Sequence, residues 1–334
     1  MKHLHFLHHN NRFLKKAENL VVLSHSINEY RSNEVMKIGV MNGTVFSLPN
    51  FPVSLFCDVA VAAEQLGYDG YFVNDHPNLP WGDETCEPYT ELAYIAAKTS
   101  VIDLGNVVSP IPRYSPNYLA KIIAHIDILA KGRTLYAFGA GYREKEFIGF
   151  APDGRFPDAK ERVERTLEGA ELMKRLWTED EVTFNGKYYS VTSAVLKPKP
   201  YTKPYPPMLN GGSGPYMRRM AAKLFDGWCT TNWAWTNKGD TKAEGFRQNV
   251  MEIHDHLKHY GRDPDKFIFM VEAGIEDPLS MVEAYAEAGC DYYIPSISPY
   301  AKDNAYPFRY FPEQHIPLLK KFAREVLPSF KRSL

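Results

Sequence analysis

From Met36 onward, short runs of β-branched and aromatic residues alternate with longer stretches of helical period, and they do so eight times. The pattern assigns strands to Lys37–Asn42, Gly70–Asn74, Ile102–Val108, Thr134–Phe138, Pro206–Asn210, Gly227–Thr231, Lys266–Glu272 and Asp291–Ser296. Helices are read at Val53–Leu66, near Pro88–Lys98, at Pro116–Ala130, Asp158–Trp177 and Pro215–Leu224, near Lys242–Tyr260, and at Pro278–Ala288; a last one starts at Pro312 and runs to about Ser329. Strands that alternate with helices build a parallel sheet, and eight such units close it into a barrel. The expected fold class is α/β, a (β/α)8 TIM barrel. An open, doubly wound sheet is the competing architecture, but it rarely needs eight regular units without a second domain. One insertion follows the fourth helix. Val182–Val191 carries Asn185-Gly186 between β-rich arms and reads as a small hairpin.

At 334 residues the chain could hold two domains of about 150 residues, but a large barrel uses that length in one. The apolar share of 44% is enough for a large core and excludes a disordered or fibrous chain. Lys plus Arg (39) balance Asp plus Glu (40), so no basic field argues for nucleic acid or an anionic membrane as partner. No run reaches the length of a membrane span. Cys57, Cys86, Cys229 and Cys290 are far apart, which matches neither a zinc pattern nor a disulfide framework and suggests a reducing, cytoplasmic setting. Residues 1–35 hold five of the eleven histidines and neither Gly nor Pro, and they lack the shape of a secretory signal. They are expected to be an extension outside the core fold, with residues 36–334 forming one barrel domain. Their histidine cluster is read as part of a poorly ordered terminus rather than a metal site.

In a parallel barrel, chemistry gathers where strands end at their carboxyl side. After the fifth strand comes Gly211-Gly212-Ser213-Gly214-Pro215, which places bare N–H groups at a helix start, with Pro at the first helical position. Such a turn can bind a phosphate, with Arg218 and Arg219 adding charge, or it can be a tight turn that binds nothing. The second strand ends in Asn74-Asp75-His76. A histidine can exchange a proton near neutral pH, and an adjacent carboxylate can orient it or bind a cofactor. Trp81 follows five residues later and could wall an apolar pocket or simply pack. Trp233, Trp235 and Tyr300 at other strand-end loops suggest a flat or apolar substrate on the same terms. No metal site is expected: there is no H-E-x-x-H, and His254, His256 and His259 read as a solvated helix surface. A hydrolase has little support, because no G-x-S-x-G elbow is present, and Gly139-Ala140-Gly141 is too short for a dinucleotide fingerprint.

The same residues carry a family resemblance. Asn74-Asp75-His76, Leu104-Gly105 with Ser109-Pro110 and Arg113-Tyr114-Ser115-Pro116, and Gly139-Ala140-Gly141 occur in order with Glu161-Arg162, Leu172-Met173 and Leu176-Trp177. Phe184-Asn185-Gly186-Lys187-Tyr188-Tyr189 and Gly212-Ser213-Gly214-Pro215 with Asp226-Gly227-Trp228 complete the set. From about Met36 to Pro299 the chain resembles the luciferase-like flavin and deazaflavin oxidoreductases. It is most similar to the coenzyme F420 branch, which includes glucose-6-phosphate dehydrogenase and methylene-tetrahydromethanopterin reductase types.

The resemblance implies an enzyme that holds a deazaflavin at the barrel mouth and moves a hydride between ring carbon C5 and a carbonyl or alcohol, an imine or an activated alkene. By resemblance, Asp75 contacts the ring and His76 is the proton acceptor or donor. Ser109 binds the cofactor, a cis peptide within Asn106-Val107-Val108 buttresses the ring, Ala140 and Gly141 lie beside it, and Gly211, Gly212, Ser213, Gly214 and Pro215 take the phosphate tail. A homodimer is also implied. There are two departures. The sugar-phosphate dehydrogenases carry a catalytic Glu after the fourth-strand Gly-x-Gly, where this chain has Tyr142, and the pterin reductases carry one late in the first strand, near Met41 here. Tyr142, Arg143 or Glu144 is therefore expected to replace the missing acid. Alternatives on the same fold are an FMN-dependent monooxygenase and a flavin-binding barrel without catalysis.

Overall fold

The computed structural model of the chain describes residues 35–42, 54–77, 85–231, 242–297 and 312–331. Strands β1 (Lys37–Asn42), β2 (Gly70–Val73), β3 (Asp103–Pro110), β4 (Thr134–Gly139), β7 (Met208–Asn210), β8 (Gly227–Thr231), β9 (Ile268–Gly274) and β10 (Tyr292–Ser296) form a closed barrel in the order β1-β10-β9-β8-β7-β4-β3-β2. Every neighbouring pair is parallel. Helices α1 (Ser54–Leu66), α2 (Pro88–Ala96), α3 (Pro116–Leu129), α4 (Glu144–Phe150), α5 (Ala159–Thr178), α6 (Pro215–Leu224), α7 (Lys242–His259), α8 (Leu279–Glu287) and α9 (Pro312–Glu325) accompany the strands. Strands β5 (Val182–Asn185) and β6 (Ser190–Ala194) make the expected hairpin after α5, outside the barrel. The TIM-barrel expectation is thus met.

The strands read as continuous apolar runs because both faces are covered. β2 and β4 are buried at every position. Inward side chains fill the barrel: Phe72, Leu135, Leu209, Met270 and Tyr292 belong to one interior cluster, and Met41 caps it toward the mouth. A Cβ on Gly39 would lie 2.8 Å from Phe72 Cε2, so a bare backbone here leaves room for the edge-to-face pair Phe72–Tyr292. A second, larger cluster lies between strands and helices. Each large apolar side chain sealed in this way contributes about 1.5–3 kcal/mol.

Several boundaries differ from the sequence reading. β3 runs on to Pro110 and turns at once into a 3-10 turn, Ile111–Arg113. β9 starts later than expected, because Pro264–Lys266 forms a 3-10 turn capped by Asp263. The stretch after Gly141, expected to be only a turn, contains α4. His254, expected in solvent, packs edge-on against Phe269. Residues 1–34 lie outside the described residues, as do Trp81, Trp233, Trp235 and Tyr300.

Candidate active site

Three consecutive strands deliver their carboxyl ends to one corner of the mouth. β2 hands over to Asn74-Asp75-His76, β3 to the turn that carries Arg113 and Tyr114, and β4 to Gly139-Ala140-Gly141 and then α4. The last turn requires glycine. Gly141 has φ +70°, and a Cβ there would lie 2.6 Å from the Phe147 ring. That close approach sets α4 directly against the barrel end and aims Glu146 inward.

These ends form a buried ionic set. His76 Nδ1 lies 2.7 Å from Glu146 Oε1. Arg113 Nη1 donates to Glu146 Oε2 at 2.9 Å, and its Nη2 donates to Asp75 Oδ1. Tyr114 donates its hydroxyl to Asp75 Oδ2 at 2.7 Å. Arg143 Nε stands 3.6 Å from Glu146 Oε1. The Asp75 and Arg113 side chains are 1% and 2% exposed, whereas His76 is 20% exposed and so remains reachable from the mouth. Burial pushes the Asp75 carboxyl upward against the pull of Arg113, Ser109 and Tyr114. A guanidinium on one oxygen and a phenol donor on the other are the partners of a carboxylate, and we assign it as ionised. The Arg113 guanidinium loses stability through burial but is held above its ordinary range, chiefly by Asp75. A buried set of this kind holds its geometry only while every charge keeps its partner.

With a carboxylate on Nδ1, the proton of a neutral His76 belongs on that nitrogen, leaving Nε2 as the acceptor. The Tyr142 ring stands edge-on to the imidazole, with centroids 6.3 Å apart, and is 60% exposed.

The sequence-named residues divide. Asp75, His76, Ser109 and Tyr142 come together at this corner. Ser109 is fully buried, and its hydroxyl accepts from Asn106 Nδ2 at 2.7 Å. Val107 faces the barrel interior, and the Val107–Val108 peptide is cis, inside the segment marked for it. Val108 reaches the glycine turn: a Cβ on Gly211 would lie 2.7 Å from its methyl groups. Ala140 and Gly141 are half-buried at the rim.

In the glycine turn itself, two N–H groups are already used. Gly211 donates to Phe138 O at 2.7 Å and Gly212 to Asn210 Oδ1 at 2.6 Å. Ser213, Gly214 and Pro215 are exposed. Arg218 is not spare charge for a phosphate, because it pairs with Glu252 and donates to Ser213 O. Arg219 lies over the Tyr216 ring.

Of the two roles open to Asp75, orienting the histidine falls to Glu146 instead: the Asp75 oxygens go to Arg113 and Tyr114 while Glu146 takes His76. Glu146 escaped notice because α4 has only seven residues, too few to show a helical period. The available signal was an acid a few residues past a strand-end Gly-x-Gly. Glu144, the acid nearest to the Gly-x-Gly, is exposed. Among the described residues, no group of three or more His, Cys, Asp or Glu could hold a metal ion.

Comparison with known proteins shows the family and the fold. A family described as luciferase-like monooxygenase matches residues 36–302. The F420-dependent glucose-6-phosphate dehydrogenase of Intrasporangium calvum is 29% identical over 251 residues, 67% of this chain and 74% of that protein. The Nakamurella multipartita enzyme of the same description is 35% identical over 191 residues, 56% of this chain and 54% of its own length. The chain therefore spans only about half to three-quarters of these relatives. A solved F420-dependent secondary alcohol dehydrogenase, in complex with an F420–acetone adduct, superposes with a TM-score of 0.70 at 18% identity, covering 89% of this chain and 100% of that one. The fold is shared with that structure, and the family match over most of the barrel shows that this chain belongs to the luciferase-like monooxygenase family of oxidoreductases.

Proposed function

We propose that the chain is a coenzyme F420-dependent oxidoreductase acting on a small alcohol or carbonyl compound, with His76 as the group that takes or returns the proton. The observation that carries this reading is the partly exposed imidazole at the mouth, held at Nδ1 by Glu146, which leaves Nε2 as the base. The curated relatives described as F420-dependent support the choice of cofactor.

Two features of the site fit such a group. A Cβ on Gly214 meets nothing within 4 Å, so the turn offers open backbone at the start of α6, where the helix dipole favours an anion. Ser296 sits on β10 in the inward row with Tyr292 and Ile294, one layer nearer the mouth, and its buried hydroxyl has no hydrogen-bond partner among the described residues. Ser213 and Gly214 would hold the phosphate tail, with Val108 and Ser296 beneath the ring. The bound cofactor supplies a hydride donor or acceptor at its C5 carbon. The chain positions the substrate hydroxyl, excludes water and moves one proton at His76 Nε2.

A reduced-FMN monooxygenase is the second reading, favoured by the description of the matched family. Titration with F420 and with FMN, followed by fluorescence quenching, separates the two: saturable quenching by F420 alone supports the proposal, and quenching by FMN alone overturns it. His76→Asn should retain F420 binding and lose turnover by about 10²-fold or more. We further propose a homodimer in a reducing cytoplasm, in keeping with the four free cysteines; no described helix is long and apolar enough to cross a membrane.

A further inference from the structure

We infer that Glu146 is the positioning residue for His76, and that Arg113 ties it to Asp75 so that two carboxylates from different strand ends act as one rigid frame. The inference rests on the proton role of His76 proposed above. It assigns a task to a residue seventy positions away in the chain and removes that task from the adjacent Asp75.

The geometry leaves little choice. Both Asp75 oxygens are taken, one by Arg113 and one by Tyr114. Glu146 divides its carboxylate, giving Oε1 to His76 Nδ1 and Oε2 to Arg113 Nη1. Among the described residues, the charged and titratable groups around the imidazole are Glu146 from α4, Asp75 from its own segment, Arg113 from the turn after β3, and Arg143 and Tyr142 from the loop before α4. Glu146 is the one among them in hydrogen-bond contact with a ring nitrogen. When Nε2 takes an alcohol proton, the O–H bond breaks, an Nε2–H bond forms, and the positive charge spreads over a ring whose other nitrogen already faces a carboxylate. The reverse step returns that proton to an alkoxide. Arg113 fixes Glu146 so that this stabilisation needs no movement.

The frame makes a sharp prediction for Glu146→Gln. Arg113 still requires an acceptor, so the amide must turn its oxygen toward Nη1 and its NH2 toward Nδ1. An NH2 donor on Nδ1 drives the ring proton to Nε2.

The test is a two-bond proton–nitrogen correlation spectrum of 15N-histidine-labelled protein without cofactor, with the His76 signals identified by their loss in His76→Gln. Wild type should show the neutral ring with its proton on Nδ1, and Glu146→Gln should show it on Nε2. A wild-type ring protonated on Nε2 overturns the inference, and so does a Glu146→Gln spectrum with the wild-type tautomer. Should the Gln variant fail to fold, the wild-type tautomer alone decides. Because the measurement needs no F420, failure of the cofactor assignment and failure of this inference are separate results.

Discussion

Glu91, in the first turn of α2, is 6% exposed, and neither carboxylate oxygen has a hydrogen-bond partner among the described residues. Desolvation, reinforced by Glu87, pushes its carboxyl from 4.5 up to about 8. The folded protein therefore keeps it protonated at neutral pH, whereas the unfolded chain ionises it. Below pH 4.5 both states hold the proton and the group costs nothing. As pH rises from there toward 8, the unfolded state gains about 1.4 kcal/mol per pH unit relative to the folded one, and above 8 the loss levels off. Between pH 5 and 7.5 the cost grows by roughly 3 kcal/mol, a large part of the roughly 5–15 kcal/mol that stabilises an ordinary domain. Glu91→Gln removes the titration and keeps the shape. Any fixed penalty of the buried amide is the same at both pH values and cancels in the comparison. Urea unfolding of both proteins at pH 5 and 7.5 reads the result: the variant should gain roughly 3 kcal/mol on wild type as pH rises. Parallel pH profiles would refute the reasoning.

Three further outcomes are expected. Gly214→Ala meets open space and should leave the stability from urea unfolding within about 0.5 kcal/mol of wild type while weakening F420 binding at least tenfold by titration, since the added methyl would stand in the proposed phosphate approach. Arg113→Met takes the shared cation from two buried carboxylates, leaving Asp75 with the Tyr114 hydroxyl and Glu146 with His76 and Arg143; chemical unfolding at pH 7.5 should show a loss of about 3–5 kcal/mol that shrinks as acid protonates them. Tyr142→Phe removes a hydroxyl that accepts from Arg143 Nε at 3.2 Å. If Tyr142 replaces the acid found in relatives, turnover falls with F420 affinity unchanged, and unaltered turnover removes it from that role.

The barrel was legible from Met36 onward because burial on both strand faces and one helix face leaves a local, periodic trace in the chain. Asp75-His76 and the glycine turn were legible for the related reason that strand ends are where a barrel places its chemistry. What surrounds them was not. Periodicity is silent about α4, which is a short helix of about two turns held in place by Gly141 and Phe147. It is equally silent about Arg218 finding Glu252, or about Gly211 and Gly212 spending their N–H groups inside the fold.

The amino-acid sequence by itself determined which residues line up as strands and helices, and hence that His76 stands at a mouth. Only the tertiary structure decided which carboxylate reaches it. Periodic burial is a property of neighbours along the chain, while an ion pair between residues 76 and 146 exists only once the ends of β2 and β4 have been brought side by side across β3.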